Sequence, residues 1–164
     1  MAIFSFLKKD ITENWTDYKF LELVLDLPNG KLNNVQLGRE ASDLQSFGKP
    51  DNKNPFDSRH FVYKDAGLIV GIDDDRITYF SFALVYDEYE ELQPCIFKLH
   101  DRKGSYHEVS HKTTVPDIEN ILGPSKEQFE LEEGQDREYS IGLFNITVQF
   151  DNEAKVVCFD ICIN

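Results

Sequence analysis

The sequence has few cysteines, few basic residues and few motifs of catalysis. Its three cysteines, Cys95, Cys158 and Cys162, are an odd number without close C-x-x-C spacing. That pattern fits neither a disulfide framework nor a zinc knuckle. We expect reduced, mostly buried thiols. Because Cys158 and Cys162 fall on one face of a predicted strand, core packing is expected of them rather than nucleophilic chemistry.

Basic residues are scarce relative to acidic ones. The chain has 17 Lys and Arg against 30 Asp and Glu, a net charge of -13. A field of that sign repels phosphate backbones and anionic lipids, so nucleic acid and membrane surfaces are poor candidate partners. The acidity either keeps the protein in solution or forms an acidic face for a basic protein.

The N-terminal stretch MAIFSFLKKD lacks the features of a secretory signal. Its apolar run is short, Lys8, Lys9 and Asp10 follow it directly, and it has neither a small-residue cleavage site nor a lipidation cysteine. We expect a cytoplasmic protein whose first residues form an amphipathic end that packs on the body. The apolar residues of that end are Ile3, Phe4, Phe6 and Leu7. Peripheral membrane contact is the alternative, which the net charge disfavours.

Motifs of catalysis and of ligand binding are also missing. There is no G-x-S-x-G, no Gly-rich phosphate loop after a strand, and no cysteine that the sequence pairs with a histidine. Residues 73–75 and 151–153 are acidic, but neither stretch has the spelling of a calcium loop. We therefore expect a protein that is not an enzyme and that uses no cofactor or metal.

What the sequence does have is an internal repeat. Gly48 and Gly123 are each followed closely by a proline, Gly67 and Gly142 are each followed by a leucine, and both pairs are 75 residues apart. Upstream of the first pair, apolar residues recur at every third position, which indicates short helices. These positions are Ala41, Leu44 and Phe47 in one half and Val115, Ile118 and Ile121 in the other.

The second predicted helix has a start signal. Thr114 with Asp117 three residues later resembles a capping box, and Pro116 is tolerated in a first turn, so the helix should begin near Val115. It should end at Gly123.

β-rich runs follow each predicted helix. They cover 61–63, 67–72 and 76–85 in the first half and 138–141, 144–150 and 155–163 in the second. The acidic stretches 73–75 and 151–153 are the hairpin turns between them. The predicted fold class is α+β, with two tandem repeats that each pack a short helical segment on an antiparallel β-meander. The predicted division is an N-terminal segment 1–31, a first repeat 32–100 and a second repeat 101–164, in one compact unit.

This pattern resembles a known family. The residues Val35-Gln36-Leu37-Gly38, Asp43-Leu44 and Phe47-Gly48-Lys49-Pro50-Asp51 are similar to the opening motif of the BamE (SmpA/OmlA) outer-membrane assembly lipoproteins. The tandem use of two such units resembles β-lactamase-inhibitory protein. The resemblance implies the tandem α+β fold and a binding function. The second half departs from the motif, with His111-Lys112 where it has Leu-Gly.

Residues 107–111, His-Glu-Val-Ser-His, match the H-E-x-x-H spelling of zinc peptidases. The spelling has a chemical meaning only on a helix, where residues four apart can hold one zinc ion. Gly104 precedes the segment and Pro116 follows it, and we expect a strand from Tyr106 antiparallel to a strand over 94–100. In a strand, the two histidines would lie roughly 13 Å apart, too far for one zinc.

The favoured function is noncatalytic protein binding, by an acidic module such as an inhibitor or immunity protein for a basic partner. Two acidic-aromatic segments, 87–91 and 129–133, are the predicted binding loops, because aromatic side chains are typical interface anchors. The predicted binding residues are Asp87, Glu88, Tyr89, Glu90, Glu91, Phe129, Glu130 and Glu132. The alternatives are solvated loops without a partner, an assembly scaffold, and a metal-dependent hydrolase that uses His107, Glu108 and His111.

Overall fold

The computed structural model describes residues 11–18, 22–52 and 55–164, which are mostly β. The strands are β1 Leu23–Asp26, β2 Lys31–Leu32, β3 Val35–Gln36, β4 His60–Tyr63, β5 Leu68–Asp73, β6 Arg76–Ala83, β7 Phe97–His100, β8 Tyr106–Val109, β9 Glu127–Leu131, β10 Gly134–Ile141, β11 Phe144–Phe150 and β12 Val156–Ile163. The α-helices of the described residues are α1 Pro55–Ser58 and α2 Val115–Leu122. Short 3-10 segments cover Ile11–Asn14, Leu27–Asn29, Ala41–Ser46 and Lys64–Ala66.

Seven strands form one antiparallel sheet in the order β4-β5-β6-β12-β11-β10-β9. Its hairpins turn at the predicted acidic stretches. Between Asp73 and its register partner Arg76, Asp74 and Asp75 both have positive φ, 46° and 60°. A two-residue turn with that backbone matches the twist of the flanking strands.

The other five strands form a smaller sheet in the order β3-β2-β1-β7-β8. Its centre is a parallel pair, with Leu25 of β1 beside Leu99 of β7. Both side chains are fully buried.

The two sheets pack against each other through aromatic rings. Phe97 of the smaller sheet stacks on Phe82 of the larger one, with ring centroids 4.3 Å apart, and meets Phe159 edge to face at 5.3 Å. All three belong to one core that extends to Val115 and Ile118 of α2. The core therefore lies on one side of the seven-stranded sheet, which we call its inner face.

Helix α2 confirms the predicted start signal. Asp117 Oδ2 accepts hydrogen bonds from the backbone N–H of Thr114 at 2.9 Å and from its hydroxyl at 2.6 Å. The helix begins at Val115 and ends before Gly123, whose φ is 89°. Its buried residues are Val115 and Ile118.

The predicted fold class, α+β with two tandem helix-on-meander repeats, is wrong. The described residues form two large sheets, and α2 is their one α-helix longer than a single turn. The segment Ala41–Ser46 is a 3-10 helix. Its apolar residues recur every third position because a 3-10 helix has about three residues per turn. Within the second sheet, the antiparallel pair of β7 and β8 was predicted, but the parallel pair of β1 with β7 was not, since it joins segments that lie far apart in the sequence.

Two further predictions concern the ends of the chain and the membrane. The predicted packing of Ile3, Phe4, Phe6 and Leu7 lies outside the described residues. Within the part of the chain that the structure describes, no helix is long and apolar enough to cross a membrane.

Candidate protein-binding surface

The side of the seven-stranded sheet that faces away from the core carries a row of acidic side chains. Strand register places Ser81 of β6 opposite Asp160 of β12, Asp160 opposite Thr147 of β11, Thr147 opposite Glu138 of β10, and Glu138 opposite Glu127 of β9. Side chains opposite each other in register share a face of the sheet. We call this face the outer face.

Two parallel rows complete the outer face. One row runs Ala83, Cys158, Gln149, Asp136 and Phe129, and the other runs Tyr79, Cys162, Asn145 and Ser140. Among the described elements, the only one that packs a buried hydrophobic residue onto this side is the loop before β7.

The carboxylates at the centre of the outer face have no basic partner in the part of the chain that the structure describes. Among the described residues, Asp136, Glu138 and Asp160 make no ion pair. The Asp160 carboxylate accepts a contact of 3.4 Å from the Cys158 thiol. Burial raises the pKa of Asp160 and, by the same cause, the pKa of Asp136. Asp136 Oδ1 is buried and has no hydrogen-bond partner in the described structure. Asp136 and Asp160 have therefore lost water without gaining a cation from the described residues.

The cysteines are free thiols, as predicted, but only one of them is in the core. Cys95 is buried, whereas Cys158 and Cys162 lie half-buried on the outer face. Burial raises the pKa of Cys158 to about 12, with the nearby Asp160 charge acting in the same direction. Because the thiolate is the nucleophile, such a thiol is unreactive at neutral pH. Cys158 is therefore not an activated nucleophile.

The first predicted binding segment lies beside β4, at one edge of this sheet. Asp87 holds the loop in a tight turn, because its Oδ1 accepts the backbone N–H groups of Tyr89 at 2.9 Å and Glu90 at 3.0 Å. Leu92 anchors the loop by packing with Val62 and Ala83. Tyr89 is left 91% exposed at the tip. The loop is thus ordered and presents one aromatic side chain.

The charges of this loop are partly neutralised. Glu91 accepts a hydrogen bond from the Lys64 ammonium, which lowers the pKa of Glu91. Glu90 lies 3.9 Å from a ring nitrogen of His60. Among the described residues, Glu88 has no such partner. The loop therefore contributes less unpaired negative charge than its sequence suggests.

The second predicted segment is a strand, not a loop. Phe129 and Leu131 belong to β9 and are 46% and 51% exposed on the outer face. Glu130 points to the opposite side, where it accepts a hydrogen bond of 2.5 Å from Gln128. Glu132 lies in the turn between β9 and β10. The prediction of a loop was wrong because pairing with β10 stabilises this strand, whereas acidic residues by themselves disfavour strand formation.

The structure places the two predicted segments at opposite edges of one face. From β4 to β9 there are six interstrand spacings, about 29 Å at roughly 4.8 Å each. Sequence reasoning missed the carboxylates Asp136, Glu138 and Asp160 between them. A signal was present, because Cys158, Asp160 and Cys162 alternate with apolar residues along β12. These residues lie close to Asp136 only because of the strand register, and the alternation does not predict that register.

The His-Glu-Val-Ser-His segment is not helical. His107 lies on strand β8, as predicted, and His111 lies in the turn after it. A ring nitrogen of His107 is 2.8 Å from Asp101 Oδ2, whereas His111 Nδ1 is 3.0 Å from the backbone oxygen of Val156. No group of three or more potential metal ligands occurs in residues 11–18, 22–52 and 55–164. The two imidazoles are held by different partners rather than aimed at one point.

An open groove lies beside this segment. His107, Glu108 and Lys112 line it together with residues of α2 such as Asp117 and Asn120. Asp101 receives hydrogen bonds from the backbone of Ser105 and from His107, which lower its pKa to about 2. The carboxylate therefore fixes a turn and one imidazole.

Comparison with known proteins gives a likeness of fold. No protein-family model matches this chain, and no curated protein sequence matches it. A solved structure similar to it is that of a DUF4309 family protein, YjgB, from Bacillus subtilis subsp. subtilis str. 168. The two chains are 13% identical over 81% of this chain and 84% of that chain, with a TM-score of 0.52.

A second solved structure is that of a cysteine-rich secretory protein, SAV1118, from Staphylococcus aureus subsp. aureus Mu50. The identity is 15% over 90% of this chain and 52% of that chain, with a TM-score of 0.43. This chain thus spans about half the length of that protein. Neither likeness concerns function.

Proposed function

We propose that this protein is a noncatalytic binding module that receives a basic protein surface on its outer face. The observation that carries the proposal is the arrangement of Asp136, Glu138 and Asp160, which have no basic partner among the described residues, between two edges that present exposed aromatic side chains. Tyr89 stands at one edge and Phe129 at the other. Exposed aromatic side chains and negative charge on one face suit a protein partner, because interfaces use aromatic anchors and complementary charge.

The size of the face supports a macromolecule rather than a small ligand. A width of about 29 Å from β4 to β9 is in the range of a standard interface, which buries roughly 800 Å² on each partner. The charge supports a basic partner, since Lys or Arg side chains would give the desolvated carboxylates of Asp136 and Asp160 the cations that the described residues do not supply.

An inhibitor or immunity protein is the form of this function that we favour, because the chain is small and carries a net charge of -13. An assembly scaffold would use the same face. We place the encounter in the cytoplasm, because the three cysteines are free thiols and reducing compartments keep thiols in that state. The metal-dependent hydrolase is not favoured, since His107 and His111 bind different groups.

Photo-crosslinking tests the proposal. A photoreactive benzoylphenylalanine replaces Thr147, at the centre of the outer face, and the matched control carries it at Lys103, in an exposed turn of the other sheet. We expect a covalent adduct with a basic protein from position 147 and none from position 103. Adducts from the control position alone would contradict the proposal.

A further inference from the structure

The two edge strands of the seven-stranded sheet differ in whether their outward backbone groups are hydrogen-bonded. At β4, neighbouring residues form hydrogen bonds with the outward backbone groups. The N–H of Val62 donates to Asn52 Oδ1 at 2.9 Å, and its carbonyl accepts the N–H of Asp51 at 2.8 Å. The Asn52 side chain also donates to the His60 carbonyl at 2.9 Å. This edge is closed to further strands.

At β9 the corresponding groups are open. Leu131 and Gly134 are the register pair that closes the two-residue turn into β10. Counting from that pair, every second residue of β9 forms backbone hydrogen bonds with β10. The backbone groups of Gln128 and Glu130, which lie between those residues, therefore point away from β10. Within the described part of the chain, no hydrogen bond reaches these groups. A strand edge of this kind is a template for another strand.

Strand β9 carries two glutamates but lacks the other common protections of an exposed edge. Natural edge strands carry charged residues, most often lysine, or a proline or a bulge that prevents pairing. Glu127–Leu131 contains neither lysine nor proline, its five residues pair with β10 without a register shift, and all five are exposed. The edge is therefore regular enough to continue the sheet.

The side chains of β9 define what an added strand would look like. Phe129 and Leu131 offer an apolar strip on the outer face. Glu130 lies on the opposite side, and Glu132 and Glu133 follow in the turn. Cross-strand neighbours on one face contact each other, and opposite charges stabilise such pairs. The complementary strand alternates apolar residues with basic ones.

We propose that β9 pairs with an extended segment of the partner whose apolar and basic residues alternate, so that the seven-stranded sheet gains an eighth strand. The basic character of that segment rests on the proposed function, whereas the open edge does not. A second copy of this chain is disfavoured, because pairing two β9 strands would bring the glutamates of both copies together and like charges across strands repel.

Peptide binding followed by amide NMR of the labelled protein tests the proposal. The probe is an acetylated, amidated eight-residue peptide of alternating Lys and Val. Its control has the same composition with the four Lys and four Val grouped. We expect the alternating peptide to shift the amide signals of Gln128 and Glu130 and to protect them from hydrogen exchange. The grouped peptide has the same charge and should leave both amides unprotected.

Two variants separate backbone pairing from charge. Glu130→Pro removes an outward N–H, at a position where an edge strand tolerates proline. Glu130→Gln removes the charge and keeps the N–H. We expect Glu130→Pro to bind the alternating peptide at least about tenfold more weakly than Glu130→Gln, because a strand pair needs that donor. Gln128→Pro should repeat the loss if Glu130→Pro folds poorly.

Equal binding by the proline and glutamine variants would overturn strand addition. So would shifts confined to Thr147 and Asp160, or no binding of the peptide at all. A dimer in sedimentation that Glu130→Pro dissociates would instead identify a second copy as the occupant and overturn the basic partner strand. None of these results decides the proposed function, which the crosslink from position 147 tests separately.

Discussion

Asp160 lies directly opposite Ser81 in the register of β12 and β6, and accepts a contact from the Cys158 thiol on its own strand. Its surroundings thus offer neutral donors and no cation among the described residues. Burial raises its pKa, and the nearby Asp136 charge adds to the shift. The charged form of this carboxylate therefore destabilises the unbound protein. Functional groups on binding surfaces often have such a cost.

Asp160→Asn should therefore stabilise the isolated protein at neutral pH. A carboxyl with a raised pKa in the folded state makes folding less favourable as pH rises from its unfolded value, about 3.9, through the folded one. The difference in free energy of unfolding between variant and wild type should grow over that window and vanish at lower pH. Urea titrations at several pH values measure it, with exposed Glu88→Gln as control. A variant less stable than wild type at neutral pH would contradict the account.

Asp101→Ala should destabilise the protein at neutral pH, and its effect should depend on pH in the opposite way to that of Asp160→Asn. Asp101 accepts from the backbone N–H groups of Lys103 at 2.8 Å and Ser105 at 2.9 Å, and binds His107 at 2.8 Å. Its pKa is lowered to about 2, so its contribution is present above the unfolded value and is lost as pH falls toward 2. The variant should melt below wild type at neutral pH, and the gap should narrow in acid.

His107→Ala is the matched comparison for Asp101. It leaves both backbone hydrogen bonds of the carboxylate in place, so its melting temperature should fall less than that of Asp101→Ala. Equal losses would mean that the imidazole, rather than the turn, carries the stabilisation.

Phe97→Ala should destabilise the protein by about 3–5 kcal/mol, because it removes a buried ring that joins the two sheets and leaves a cavity. The ring contacts Phe82 and Phe159 across the interface. Leu143→Ala, at a side chain that is 73% exposed, should change stability by less than about 0.5 kcal/mol. Chemical denaturation of both variants compares them. A loss below about 1 kcal/mol for Phe97→Ala would contradict the sheet packing.

The histidine pair should not be a zinc site. The protein as purified should contain less than one zinc per chain by elemental measurement. A chelator should leave the melting temperatures of wild type and of the double variant His107→Ala, His111→Ala unchanged. One tightly bound zinc ion per chain, lost in the double variant, would contradict this prediction.

The strands that sequence predicted best are those with strict alternation and acidic turns, such as β11, whose bounds 144–150 were predicted as observed. The parallel pair of β1 with β7 was missed, because residues as distant as Leu23 and Phe97 meet only through the folded topology. Strand β9 was missed for a local reason, since its glutamates have low strand propensity and its order comes from β10.

The proposed binding surface includes residues that the sequence suggested and others that it did not. Tyr89 and Phe129 were identified as aromatic anchor candidates from composition, and the structure brings their segments to one face. Asp136 and Asp160 were not identified. Nothing in the sequence distinguishes them from the other acidic residues, and their proximity results from the register across β10, β11 and β12.

The central claim is that the carboxylates of the outer face attract a basic protein. The most direct measurement is the association rate constant with the protein crosslinked from position 147, by stopped flow, between about 50 and 500 mM salt. The wild-type rate should fall steeply as salt rises, since opposite fields steer the encounter. The triple variant Asp136→Asn, Glu138→Gln, Asp160→Asn should associate more slowly and with a weaker salt dependence. A triple variant with the wild-type rate and salt dependence would contradict the claim.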